Sequence, residues 1–142
     1  MAGEEKTGYW LFKQEPECYS YADLERDGRT VWDGVTNSLA QKNLRQVRVG
    51  DRILFYHTGK QKAVVGEMVV VGGPRPASSG DKHVVVAVEA VRRLLPVTLE
   101  QIKADALLCD SELVRLPRLS VVPVTLAQWQ RVQELSGTGR AE

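Results

Sequence analysis

The sequence predicts an α+β domain: a curved sheet of mixed or antiparallel strands, partly closed into a small barrel, with short helices at its ends. Three observations lead there. The chain of 142 residues has the usual size of one domain and can bury a core without covalent staples. Two long Val-rich runs, residues 63 to 71 and 83 to 94, are separated by a hairpin-length link, which favours neighbouring antiparallel strands over a doubly wound sheet. The other segments alternate between short β-prone pieces and short capped stretches, in the order β-α-β-α-β-β-β-α-β-α. The domain is expected to run from residue 8 to 137, with residues 1 to 7 and 138 to 142 as disordered termini.

Residues 9 to 13 carry the β-formers of a first strand, with Trp10 and Phe12 on one face and Tyr9, Leu11 and Lys13 on the other. Glu15 precedes Pro16 and is biased to an extended backbone, which ends the strand. Ser20 and Asp23 form a capping-box pattern, and Gly28 stands where a C′ glycine closes a helix, so a helix is predicted over residues 21 to 27. Residues 30 to 32 are a short β-prone piece. Asp33-Gly34 forces a turn, after which Asn37 or Ser38 caps a helix with Leu39, Ala40, Leu44 and Val47 on one side. Lys42, Arg45 and Arg48 take its other face. Gly50-Asp51 turns into a strand over residues 52 to 57, in which Ile53, Phe55 and His57 share one face and Leu54 and Tyr56 the other. Residues 72 to 80, rich in Gly and Pro, read as an exposed, mobile loop. Thr98 with Gln101, and Thr125 with Gln128, open helices over 99 to 104 and 126 to 135, the second ending near Gly137. Between them residues 113 to 122 supply a turn and a last strand interrupted by Pro117, expected at a sheet edge.

Nineteen basic residues against eighteen acidic give a net charge of +1, which excludes a strongly cationic tail and an acidic disordered segment. The distribution is uneven: Lys42, Arg45, Arg48, Arg52, Lys60 and Lys62 surround the single acid Asp51. Such a run fits either a phosphate backbone or a solvated helix face. Cys18 and Cys109 stand far apart with no C-x-x-C, so neither a zinc site nor a disulfide is indicated, no cofactor is expected, and a reducing compartment is the default. No run approaches 18 apolar residues. The expectation is a cytoplasmic monomer with no membrane partner.

Function concentrates in residues 9 to 58. Eight aromatic residues fall there (Tyr9, Trp10, Phe12, Tyr19, Tyr21, Trp32, Phe55, Tyr56), leaving only Trp129 elsewhere. Rings for stacking beside amides, a histidine and charged groups suit a pocket for a planar heterocycle, although aromatics packed into one side of a core would look the same.

Four blocks within nearly the whole chain, in order, resemble the EVE domain: Trp10-Leu11-Phe12-Lys13-Gln14-Glu15-Pro16; Trp32-Asp33-Gly34-Val35 with Asn37 and Asn43-Leu44; Gly50-Asp51 with Phe55-Tyr56-His57-Thr58; and Val65-Gly66. The resemblance implies a PUA-like mixed β pseudobarrel flanked by short helices, related to the YTH and ASCH domains. It also implies a pocket that reads modified bases, modified cytosines in DNA above all, with RNA as the other polymer. The chain departs from the pattern at Thr36, where the family usually has Arg, and at Thr58, where Ser is common. The first change removes a guanidinium and a bidentate phosphate contact. The loop around residues 72 to 82 is shorter than in eukaryotic members.

On this reading Trp32 is the first choice to stack on the base, because it adjoins a turn; a core tryptophan is the alternative. Gly34 lets the backbone approach, and the amide or carbonyl of Val35 could read the base edge. Asn37 offers a donor and an acceptor, or is a plain helix cap. Tyr56 and His57 could each close the pocket wall, with Thr58 beyond them, but strand alternation allows both inward only with a bulge. Lys13 could meet a phosphate, as could Lys42 and Arg45. Glu15 could accept from an exocyclic amine or pair with Lys13. Ser20 is a cap first and a ligand contact second. The partner expected is nucleic acid bearing a modified base, DNA before RNA. The rivals are an interaction module using the basic helix, and a small nucleotide-modifying enzyme using Glu15, Asp33 and His57, against which stands the lack of a nucleophile elbow, a metal-ligand cluster or a phosphate-cradling loop.

Overall fold

The computed structural model describes residues 8 to 137; the terminal segments expected to be disordered lie outside them. Parallel pairing organises the sheet. Strand β1 (Tyr9–Gln14) runs alongside β3 (Arg52–His57) in register from Tyr9↔Arg52 to Gln14↔His57, and a parallel neighbour requires a crossover. The crossover holds helix α1 (Tyr21–Asp27), strand β2 (Arg29–Trp32) and helix α2 (Ser38–Leu44). From β3 the chain turns into the long hairpin of β4 (Ala63–Pro76) and β5 (Val84–Thr98), then passes through helices α3 (Leu99–Ala104) and α4 (Glu112–Arg115) to β6 (Val121–Val124) and helix α5 (Leu126–Ser136). The sheet order is β2-β5-β4-β3-β1-β6.

Local sequence accounts for the helix starts. Ser20 and Asp23 close a capping box on α1, Thr98 and Gln101 on α3, and Thr125 and Gln128 on α5. Gly28 and Gly137 stand at positive φ just past α1 and α5, where a side chain would be strained.

Three expectations need correction. The sheet does not close: β2 and β6 are its edges and do not pair. Helix α2 occupies the gap instead. Gln41 donates to the carbonyls of Val35 (2.7 Å) and Val84 (3.1 Å) and accepts from the amide of Val84 (2.9 Å), while Asn43 donates to Val121 O (2.8 Å), so side-chain amides satisfy backbone groups that a closing strand would have paired. Second, the Gly-Pro segment begins as strand. β4 continues to Pro76 with its register shifting at Val70, Gly72 and Arg75, and Ala77 N bonds His83 O at 2.9 Å, leaving a link of only residues 77 to 83. Gly73 permits this, since a Cβ there would lie 2.8 Å from Val85 O. Third, α4 was not foreseen, and the proline inside the edge strand is Pro123, paired opposite Trp10, with Pro117 in the loop before it.

The curl is strong. Trp32 on edge strand β2 has its ring centroid 5.4 Å from that of Phe12 on β1, whereas four strand spacings of about 4.8 Å would separate these strands by about 19 Å in a flat sheet. Register shifts in β4 and β5 supply the bend. At one of them, fully buried Tyr21 crosses β4 at Gly66, where a Cβ would lie 2.3 Å from the tyrosine ring. Its hydroxyl sits 2.7 Å from Glu67 O and 2.8 Å from Arg92 O, its one hydrogen shared between them, and desolvation pushes its pKa up to about 12.

Gly66→Ala should therefore destabilise the protein by about 3 kcal/mol or more, since the ring has no room to yield. Urea unfolding measures it, and a loss under about 1 kcal/mol would mean that Tyr21 can move aside.

Candidate functional site

Strand alternation sends Phe12 and Gln14 of β1 to one face of the sheet and Leu11 and Lys13 to the other. β3, in register beside it, divides Phe55 and His57 from Leu54 and Tyr56. A register shift does occur at Phe55/Tyr56, but the extra residue, Val65, is on β4, so β3 keeps its alternation. Tyr56 and His57 consequently face opposite sides, and the candidate residues fall into separate neighbourhoods rather than one pocket.

On the Phe12 face, a cavity of about 320 Å³ is lined by Gln14, Cys18, Tyr19, Thr30, Trp32 and Asp33. On the other face Lys13, Tyr56 and Thr58 share about 250 Å³ with Lys62, Leu99 and Pro117. Asn37 borders a third hollow, with Leu39 and the chain from Arg115 to Leu119. The three meet around the end of β1: Gln14 and Lys13 are consecutive, Pro117 walls the second and third, and residues 33 to 37 run from the first to the third.

Trp32 is not an exposed platform. It is 4% exposed, with its ring tilted on Phe12 and edge-on to Phe55 at 5.3 Å, because the curl of the sheet folds β2 over β1. What it presents to the cavity is a margin of a rigidly held indole. His57 is also buried: Nε2 accepts from Tyr21 N (3.0 Å) and Nδ1 lies 2.7 Å from Gln61 Oε1, so Nδ1 carries the proton and both nitrogens are engaged. It clamps the start of α1 and has no free lone pair for general-base work. Ser20 caps α1. Glu15 is exposed at the cavity rim and accepts from the Cys18 thiol at 3.5 Å. This bond holds the thiol above its ordinary pKa, the reverse of what a nucleophilic cysteine needs.

Gly34 is open to solvent at φ 78°. Val35 is buried and its carbonyl already accepts from Gln41, which leaves its amide as the group to consider. Asn37 caps α2 through Oδ1, accepting from Ala40 N at 2.9 Å, so Nδ2 remains to donate outward. Lys42 projects into solvent on α2, and Arg45 donates to Lys82 O, bracing the β4–β5 link.

Lys13 has the most altered chemistry. Its ammonium donates to Pro117 O at 2.7 Å and lies 5.7 Å from the Tyr56 ring centroid, and burial pushes its pKa down to about 8. Sequence reasoning missed Gln14 and Tyr19, although Gln14 lies inside the Lys13-Gln14-Glu15 block and alternation alone puts it on the Phe12 side. It also missed Pro117 and Arg118, which no local signal connects to β1 across more than a hundred residues. Among the described residues no group of three or more His, Cys, Asp or Glu could hold a metal ion, and no helix is long and apolar enough to cross a membrane.

The EVE domain family signature matches residues 8–135. Thymocyte nuclear protein 1 of Rattus norvegicus is 37% identical over 81 residues, 49% of this chain but only 36% of its own length, so this chain spans about a third of that curated relative. Among solved structures, a protein from Agrobacterium tumefaciens superposes with a TM-score of 0.88 at 36% identity, over 92% of this chain and 94% of the other. Human THYN1 protein, solved in complex with 5-methylcytosine-containing DNA, gives 0.83 at 26% identity over 92% and 98%. A signature covering almost every described residue, and superpositions that run nearly end to end, have one reading: the chain belongs to the EVE domain family and has its PUA-like fold.

Proposed function

We propose that the chain is a non-catalytic nucleic-acid-binding module that takes one modified base, a modified cytosine in DNA first among them, into the cavity beside Trp32 and Asp33. One observation carries the reading. The cavity of about 320 Å³ has the volume of a small-molecule site and sets the polar ends of Gln14 and Asp33 beside two aromatic rings, Trp32 and Tyr19. That human THYN1 protein is solved with 5-methylcytosine-containing DNA supports the choice of partner. Extruding a base costs a few kcal/mol, and stacking on aromatic rings returns about 1–3 kcal/mol per base. The carboxylates of Asp33 and Glu15 suit the N4 amine of cytosine. Because Trp32 is locked by Phe12 and Phe55, it offers a wall that needs no ordering when the ligand arrives. Lys13 belongs to the backbone side of the same site, and the engaged nitrogens of His57 favour a reader over an enzyme. The free thiols of Cys18 and Cys109 fit a cytoplasmic setting, and we read the chain as a monomer.

The direct test measures binding of matched oligonucleotides, with and without the modified base, at fixed salt. Asp33→Ala should cut the preference for the modified base by about tenfold, roughly one lost polar contact, while shifting stability by less than about 0.5 kcal/mol at this exposed position. An unchanged preference would remove Asp33 and its cavity from the site.

Lys13 supplies a second test through pH. Below about 8 the folded and unfolded chains both hold its proton and the folded state bears the desolvation cost; between about 8 and 10.5 only the unfolded chain holds it, so stability should rise with pH in that window. Oligonucleotide affinity should fall across the same window as the ammonium is lost. Lys13→Met should flatten both trends, and a pH-independent affinity in the wild type would mean that Lys13 touches no phosphate.

A further inference from the structure

The hollow beyond residues 33 to 37 plays no part in the reading above. Leu39, Leu116, Pro117 and Leu119 form its apolar surface, and Asn37, Arg115 and Arg118 stand around it, enclosing about 320 Å³. Leu39, in the first turn of α2, is 43% exposed and Leu116 is 37% exposed, so two leucines face water side by side. The guanidiniums are equally unspent. Among the described residues Arg26, Arg29, Arg52, Arg92, Arg93 and Arg131 each meet a carboxylate, whereas Arg45, Arg48 and Arg75, none of which lines this hollow, do not. Arg115 donates only to Asp110 O, and Arg118 has no hydrogen bond or ion pair among the described residues. The chain passes from the cavity at Trp32 to this hollow within four residues, Asp33 lining the first and Asn37 the second.

We propose that this hollow grips double-stranded nucleic acid beside the extruded base, with Arg115 and Arg118 on the phosphodiester backbone and Leu39 filling the place the base has left. The proposal rests on the base-binding reading of the Trp32 cavity. Two guanidiniums without carboxylates on the wall of one hollow call for a polyanion, and Arg matches phosphate in a bidentate manner. The adjoining leucines call for an apolar face on that same partner. A duplex that has lost one base from its stack provides both, because the flanking bases and the orphaned partner base expose flat apolar surface that a leucine wedge can cover. A single strand has no orphaned partner to hold apart, and an acidic peptide would use the arginines while giving Leu39 no special task.

The experiment compares wild type, Leu39→Ala and Arg118→Ala on three probes carrying the same modified base: a duplex, the matching strand alone, and the free nucleoside. 2-Aminopurine opposite the modified base reports unstacking. Leu39→Ala should weaken duplex binding about tenfold and suppress the fluorescence rise, leaving the strand and the nucleoside unaffected. Arg118→Ala should weaken both polymers and reduce the slope of log K against log salt by about 0.9 for the duplex and about 0.7 for the strand, with the nucleoside unchanged. All these side chains are exposed, so unchanged thermal melting confirms that the variants are folded. Duplex binding as tight in Leu39→Ala as in wild type would overturn the wedge. Duplex affinity untouched by either variant, with a poly-glutamate peptide bound by wild type and lost in Arg118→Ala, would overturn the proposal in favour of a protein partner. Failure of the cavity itself is read separately: wild type would then bind modified and unmodified duplexes alike.

Discussion

Tyr21 crosses the sheet at Gly66, where β4 has no side chain, and ends with its hydroxyl between two carbonyls on either side of the β4–β5 pairing. Much of the molecule hangs from that crossing. The ring stands edge-on to Phe55 at 5.4 Å, Phe55 stands edge-on to Trp32, and Trp32 leans on Phe12, so the bend of the sheet is recorded in one chain of aromatic contacts. The backbone of the same tyrosine donates to His57, which fixes where α1 begins. Cys18 and Tyr19, immediately before that helix, are walls of the cavity beside Trp32. Curvature, helix placement and pocket shape are thus consequences of one packing decision between a glycine and a phenol.

The elements set by local chemistry were legible from residues alone. The capping pairs at Ser20, Thr98 and Thr125 and the glycine at position 28 placed α1, α3 and the start of α5 at the observed residues. β3 was read at its observed limits from its apolar run. What could not be read locally was closure. A barrel and an open sheet plugged by a helix need the same alternation of buried residues, and the difference lies in Gln41 and Asn43, two amides that look like solvent-facing residues of a polar helix until their partners 43 and 78 residues away are known. The length of β4 was hidden for a related reason, since Gly72, Gly73 and Pro74 read as breakers when their partner strand is not in view.

The candidate site was legible as a region and not as a pocket. The aromatic window contains Trp32, Gln14, Tyr19 and Asp33, and the alternation of β3 already sets His57 and Tyr56 on opposite faces; whether a bulge would bring both inward is decided by the partner strand, where the extra residue lies. The turn beside Trp32 suggested exposure, but a strongly curled sheet buries its edge residues against strands far away in the order, and position within an element says little about depth. Asp51 shows the same principle in a supporting role. Its buried carboxylate receives Gly8 N, Trp10 Nε1 and Arg48 N within 2.9 Å, joining the Gly50-Asp51 turn to the start of β1 in a way only the fold reveals.

The means by which α2 is held has a bearing on how the nucleic-acid ligand proposed above would be released. The bonds that tie α2 to Val35, to Val84 of β5 and to Val121 of β6 run between uncharged amides and backbone groups, one buried and three partly buried. Added electrolyte screens exposed charges and competes for phosphates, but it has little purchase on hydrogen bonds between neutral groups. On the binding mode proposed above, ionic strength would govern occupancy while the architecture around the site stays put. A polymer shed in concentrated salt would then leave the fold of its receptor unchanged, and capture and release would cycle with the buffer alone.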